Sequence, residues 1–339
     1  NVSNINGSAP PFFTFGSGSV DGDFFVNEQY VYFGGNNPGS ICRLFNRTNG
    51  TELWNLNDTG CDTKDDGFQD VAGNNANLFV GTASGSIPIG IDVFNINGSY
   101  NTTLKDKLAG TGKDPHTVWA DDTDLFFVTG GQIVSYYANL TPRNNATGIC
   151  SEEEQTYSEG PHLWVDTNRV YLSCPRNSAL SLANLLIFNR TTLALLSNIS
   201  NLNGEKPAGG GVYSDGELVY VARDSRVGNA DLETRGISVI NISNNLNNWT
   251  FRFNGIGSTV SVTADAQFIY YTLHASATEN VIAVNKTNVI TQMVGTIFIR
   301  NANFTVTAAS TLGQIFRINQ FIYYKISAGA NTNATFIKV

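Results

Sequence analysis

One motif occurs seven times along this chain, and that recurrence restricts the possible folds more than any composition does. Its sharpest copy is Val-Tyr-Ser-Asp-Gly-Glu-Leu-Val-Tyr-Val-Ala-Arg at residues 212–223. This reads as an alternating strand, a tight turn and a second alternating strand. The other copies lie at 25–34, 71–81, 118–130, 163–174, 262–273 and 316–326. Aligned on an aromatic of the second strand they give Tyr32, Phe79, Phe127, Tyr171, Tyr220, Tyr270 and Tyr323, spaced by 47, 48, 44, 49, 50 and 53 residues. Five residues before the aromatic stands Asn27, Asn74, Asp122, Asp166, Asp215 or Asp265, and the seventh copy has Asn319 one residue closer. Asn and Asp suit such a turn because they tolerate left-handed backbone and hydrogen-bond their own loop.

A period of this size holds four short strands, and radial repetition of four-stranded antiparallel sheets is a β-propeller. The ends fit a circular array: 16 residues follow Tyr323 and Tyr32 is residue 32, so together they make up one more repeat length. The expected fold is therefore all-β, one seven-bladed propeller over residues 1–339. A strand at Phe12–Phe15 is expected to pair with the C-terminal strand at 334–339 and close the ring, which removes open sheet edges. The blades are expected at about 20–60, 61–112, 113–159, 160–208, 209–257, 258–303 and 304–339 plus 1–19. An open β-solenoid and two stacked β-sandwiches are the competing folds.

A second landmark follows each aromatic by about sixteen residues: an apolar strand that runs into Asn. It ends Leu44-Phe45-Asn46, Val93-Phe94-Asn95, Tyr136-Tyr137-Ala138-Asn139, Ile187-Phe188-Asn189, Val239-Ile240-Asn241 and Ala283-Val284-Asn285. In the first copy the run continues Arg47-Thr48-Asn49-Gly50-Thr51-Glu52-Leu53-Trp54. This resembles the third and fourth strands of pyrroloquinoline-quinone-type propeller repeats, where an apolar strand meets Asp or Asn, a Thr-Gly turn and a Leu-Trp strand. The resemblance implies a fold and no cofactor. The signature of vicinal cysteines seen in some quinoprotein dehydrogenases is absent, as are a Gly-X-Ser-X-Gly elbow and a sialidase-type Asp box.

Charge narrows the partners. Charged residues make up only 14% of the chain, against about 25% in ordinary soluble domains. The net charge is −8 with no Lys/Arg cluster, which argues against nucleic acid, whose phosphates need a basic patch. No apolar run is long enough to span a membrane. The chain opens Asn1-Val2-Ser3, which reads as a mature product whose leader has been removed, with an anchor beyond either end left open.

Something other than side-chain charge must then keep the surface wet. Asn-X-Ser/Thr, the N-glycosylation acceptor, occurs at Asn1, Asn6, Asn46, Asn49, Asn57, Asn97, Asn101, Asn139, Asn145, Asn189, Asn198, Asn241, Asn248, Asn285, Asn303 and Asn333. These sixteen exceed the roughly seven that random placement of 41 Asn and 57 Ser or Thr would give. Five of them, Asn46, Asn139, Asn189, Asn241 and Asn285, are expected at one common hairpin position. Asn and Thr are also ordinary turn residues, which explains part of the excess. Antiparallel alternation puts the turns of the first and last hairpins of each blade on one face, so the repeated sequons crowd that face. The long loops and the cysteines go to the other. Cys42, Cys61, Cys150 and Cys174 are an even set, as in a secreted disulfide framework with three possible connectivities. The sequential pairs Cys42–Cys61 and Cys150–Cys174 are preferred, each worth about 3 kcal/mol.

Few residues bear chemistry. His116 and His162 occupy matching places in Pro-His starts of innermost strands, with Trp119 and Trp164 close behind. Near a channel mouth these four could bind a ligand such as a sugar, and the histidines could act as general bases. Inherited strand starts that merely pack are the plainer alternative. Asp21, Asp23, Asp66, Asp70 and Asp114 cluster at blade starts and could hold a hard cation such as calcium, or be solvated loop charges.

The function this favours is a secreted, heavily N-glycosylated structural or interaction protein. It would be a subunit of an extracellular filament, matrix or surface assembly, partnered by itself or by other extracellular proteins, without a cofactor beyond its glycans and a possible structural cation. Its Asn-rich, charge-poor composition is similar to that of surface-layer propellers and of algal or protist surface fibres. A lectin-like ligand-binding propeller, or an extracellular hydrolase or lyase using His116 or His162, are the alternatives.

Overall fold

The computed structural model describes residues 24–33, 42–56, 71–82, 90–105, 115–129, 131–149, 162–174, 184–200, 209–223, 236–243, 246–252, 258–275, 278–286, 306–307, 315–318, 321–326 and 333–338. Among these, every element is a strand.

The first sheet is β1 (Phe24–Val26), β2 (Tyr30–Phe33), β3 (Cys42–Asn46) and β4 (Glu52–Leu56). The second is β5 (Val71–Gly73), β6 (Asn77–Thr82), β7 (Gly90–Asn95) and β8 (Tyr100–Lys105). The third is β9 (Pro115–Ala120), β10 (Asp124–Thr129), β11 (Gln132–Tyr137) and β12 (Pro142–Thr147). Then come β13 (His162–Val165), β14 (Arg169–Ser173), β15 (Asn184–Asn189) and β16 (Leu195–Ser200), followed by β17 (Gly209–Ser214), β18 (Leu218–Arg223), β19 (Gly236–Asn241) and β20 (Leu246–Arg252). The sixth sheet is β21 (Ser258–Ala264), β22 (Phe268–Ala275), β23 (Thr278–Asn285) and β24 (Val306–Thr307), and the last is β25 (Ile315–Ile318), β26 (Phe321–Ile326) and β27 (Asn333–Lys338). Within each sheet the strands hydrogen-bond in chain order, one neighbour to the next. The described residues fall into two compact units, which divide within β13 between Leu163 and Trp164.

The sequence explains the gradient across each sheet. Second and third strands are near-continuous apolar runs because both of their faces are covered: all six residues of β10 are buried. Fourth strands are the most exposed, as in β12, where no residue is buried. Between the fourth and fifth sheets, Tyr171, Leu185 and Ile187 pack with Val212, Val219 and Ile240. Between the fifth and sixth, Tyr220, Ile237 and Val239 pack with Val262, Ile269 and Tyr271. The ring of Tyr32 is fully buried over Gly73, and a Cβ added there would lie 2.3 Å from the ring's Cζ.

Three expectations change. In the third repeat the turn residue is Asp121, whose Oδ1 accepts the N–H of Thr123 and Asp124 at 2.8 and 2.9 Å, and the aligned aromatic is Phe126, opposite Trp119. Asp122 and Phe127 are each one residue too far along, because Asp-Asp and Phe-Phe present the same chemistry in adjacent positions. The sixth sheet extends past residue 303, since β24 pairs with Thr278 and Glu279. The third change concerns Asn139 and emerges with the turns below. The strand expected at Phe12–Phe15 lies outside the described residues.

The paired turns as a candidate functional site

Each of the first six sheets carries an inner turn at one end, and the first five carry an outer turn beside it. The inner turn joins the first and second strands. In each copy Oδ1 of one residue accepts the backbone N–H groups two and three residues on: Asn27, Asn74, Asp121, Asp166, Asp215 and Asp265. The outer turn joins the third and fourth strands. A backbone bond ties the two: the first residue past the third strand donates its N–H to a carbonyl of the inner turn. The six pairs are Arg47 to Gln29, Ile96 to Ala76, Ala138 to Thr123, Arg190 to Asn168, Ile242 to Glu217 and Lys286 to Gln267, at 2.7 to 3.1 Å.

That bond fixes the register of the sequons. Asn46, Asn189, Asn241 and Asn285 end their third strands, and the equivalent residue of the third sheet is Tyr137. Asn139 therefore does not share their position. It stands two residues before the residue that closes the hairpin, as do Asn49 and Asn97, and in all three Oδ1 accepts the N–H of the closing Thr or Ser. The residue between is left-handed: Gly50 at φ 73°, Gly98 at 85° and Leu140 at 67°. Asn46 and Asn189 accept two N–H groups each, and Asn241 accepts the N–H and the hydroxyl of Ser243. Asn49, Asn97 and Asn139 are exposed, and so are Asn101, Asn145 and Asn198 on fourth strands. Asn248 and Asn333 lie in β20 and β27. Asn1, Asn6, Asn57 and Asn303 lie outside the described residues.

The inner turns hold most of the organised charge. Tyr171, Tyr220 and Tyr270 donate their hydroxyls to Asp166, Asp215 and Asp265 at 2.7 to 2.9 Å. Burial pushes the phenol of Tyr171 up to about 12 and those of Tyr220 and Tyr270 higher still, so none ionises at neutral pH. Neighbouring sheets add cations: Lys286 pairs with Asp215, and Arg317 lies 3.3 Å from Asp265. Burial opposes ionisation of Asp215. The Lys286 ammonium, the N–H groups of Leu218 and Glu217 and the Tyr220 hydroxyl outweigh it and hold the carboxyl below its usual range. These groups are consumed by one another. They knit sheets together, and among the described residues no group of three His, Cys, Asp or Glu could hold a metal.

The expected ligand residues stand elsewhere. His162 is 1% exposed, and burial lowers its pKa to about 4, so it is neutral at physiological pH. Trp119 is 8% exposed with its ring against Phe126, and the Trp164 ring packs against Tyr213 with centroids 4.7 Å apart and planes tilted by 50°. Buried to that degree, Trp119 offers little face to a sugar, while Trp164 is half-buried. His116 lies in β9, and nothing further is described of its side chain. Asp21, Asp23, Asp66, Asp70 and Asp114 lie outside the described residues. Cys42 heads β3 and Cys174 follows β14, both at the sheet end away from the turns; both are buried and neither is a free thiol. Cys61 and Cys150 lie outside the described residues.

Solved structures share this architecture. Kuenenia stuttgartiensis hydrazine synthase superposes with a TM-score of 0.62 at 10% identity, over 96% of this chain and 98% of that one. BamB from Moraxella catarrhalis gives 0.54 at 10%, over 94% and 97%. The computationally designed Ika8 protein gives 0.57 at 9%, over 97% and 100%. These natural neighbours are of the propeller type, and at such identities the likeness extends to the fold alone. No protein-family model matches the chain, and no curated protein does.

Proposed function

We propose that this chain is a secreted, glycan-coated β-propeller of seven blades, closed by its terminal strands, that serves as a structural subunit of an extracellular filament, matrix or surface assembly. Its partners are further copies of itself or other extracellular proteins, and its disulfides are Cys42–Cys61 and Cys150–Cys174. It needs no cofactor.

The observation that supports this most is a contrast between two sets of turns. Inner and outer turns use the same device, an Asx oxygen accepting backbone N–H groups, for which Asp and Asn serve equally. The inner turns use Asp in four of six copies, and the residue two positions on is Gln29, Ala76, Thr123, Asn168, Glu217 or Gln267, a hydroxyl only once. The Asx acceptors of the outer turns named above are all Asn, with Thr48, Thr51, Ser99, Thr141, Thr191 or Ser243 two positions on; in the fourth sheet the Thr192 hydroxyl also accepts the N–H of Ala194. Turn geometry asks for neither restriction. An N-glycosylation acceptor asks for both. Glycans on these turns would supply the solubility that a charged content of 14% does not, and would direct protein contacts to uncovered surface.

Cryo-electron microscopy of the natively produced protein tests the reading. Filaments, sheets or stacks with one chain per repeat and sugar density on the outer turns are expected; single particles at high concentration overturn it. A companion variant separates the two roles of the asparagine. Asn139→Asp keeps the Asx turn, so stability should stay within about 0.5 kcal/mol of wild type, while the sugar at that site is lost. A stability loss well beyond that would mean that the amide itself holds the turn.

A further inference from the structure

The fourth strands share a feature of the backbone. In five sheets one residue of this strand has no register partner on the third strand, always at the same place: Leu53 between Glu52 and Trp54, Asn101 between Tyr100 and Thr102, Arg143 between Pro142 and Asn144, Leu196 between Leu195 and Ser197, and Asn248 between Asn247 and Trp249. The outer side of this strand has no strand partner among the described residues. Such an edge is a template for another chain's strand, and a bulge is one of the devices that blunt it.

A second set of sequons lies along these edges, one for each of four: Asn101 in β8, Asn145 in β12, Asn198 in β16 and Asn248 in β20. The edges differ in their need for protection. β12 begins with Pro142, which has no N–H to offer, and none of its exposed residues is a large hydrophobe. β16 reads Leu-Leu-Ser-Asn-Ile-Ser, with no charge and no proline, and it exposes Leu195 and Leu196 at 55% and 52%. Beyond the bulge, Asn198 is its one candidate guard among the described residues.

We infer that the edge-strand glycans are steric guards that stop strand pairing with a second copy of this chain, and that the Asn198 glycan on β16 is the one the protein depends on most. The inference rests on the glycosylation reading and assigns these sugars a task separate from wetting the turn face. A bulky saccharide on a strand residue blocks the approach of another backbone in a way that a sugar on a turn does not.

The test compares secreted wild type with Asn198→Gln, Ser200→Ala and Asn145→Gln, measured by sedimentation over a dilution series, with site-resolved mass spectrometry of wild type alongside. The two β16 variants remove one sugar by different routes, so a folding defect peculiar to either is recognisable. Both should form concentration-dependent aggregates absent from wild type, and Asn145→Gln should not. Adding Leu196→Lys to Asn198→Gln should restore wild-type behaviour, because a charge replaces the sugar as guard. Wild type glycosylated at Asn198 with β16 variants that sediment as it does overturns the inference and leaves the glycosylation reading standing. Sugar at other sites but none at Asn198 does the same. No sugar at any site overturns both.

Discussion

Asp215→Ala is expected to destabilise the protein by about 3 kcal/mol, which a denaturant titration followed by tyrosine fluorescence would register as a fall in midpoint at unchanged slope. One carboxylate here serves four donors. Its Oδ1 closes the turn through the N–H groups of Glu217 and Leu218, and its Oδ2 takes the Tyr220 hydroxyl at 2.8 Å and the Lys286 ammonium. Alanine leaves a largely buried ammonium and a buried phenol without their anion, and losses of that kind dominate over the loss of the turn. Asp215→Asn keeps the turn acceptor and should cost less. The same carboxylate predicts the direction of acid sensitivity. Its folded pKa lies below the reference value of 3.8, so its stabilisation is complete well above that pH. It is lost as pH falls below 3.8 through the folded value. Wild type should therefore lose stability over that interval and Asp215→Ala should lose less. Parallel acid profiles of the two would contradict the assignment.

Gly73→Ala is expected to cost about 3 kcal/mol by the opposite route, overpacking. The new methyl would meet three ring atoms of Tyr32 at 2.3 to 2.6 Å. That ring cannot give way easily: it is fully buried, and its hydroxyl donates to the carbonyl of Asn74 and accepts from the Asn27 amide. Removing the ring should relieve the clash, so Gly73→Ala with Tyr32→Leu should cost clearly less than the sum of the two single changes. Additivity would mean that the backbone of β5 moves aside instead.

The Tyr32 and Asp215 repeats were legible because strand alternation and Asx turns are local. Where two neighbours share a chemistry, local signals fail. Phe126 and Phe127 are both fully buried, since a central strand covers both faces, so apolar pattern alone cannot tell which of them aligns with Tyr32. Asn139 was misplaced for a related reason: outer hairpins close after four residues in the second and third sheets and after five in the first and fourth, and the sequon moves with the closing residue. The bond between paired turns and the bulge on five of the fourth strands are made by backbone, which carries no letter in the sequence. His162 and Trp119 were placed on the right strands, but their burial depends on neighbouring sheets that no motif encodes.

Site-resolved mass spectrometry of the natively produced protein decides whether sugars cover this fold. A mass well above the 36.6 kDa of the polypeptide is expected, with saccharide on Asn49, Asn97, Asn139 and Asn198 and none on the inner-turn residues Asn27 and Asn74. A mass equal to that of the bare chain would contradict it, and the hydroxyls beside the outer-turn asparagines would then need another explanation.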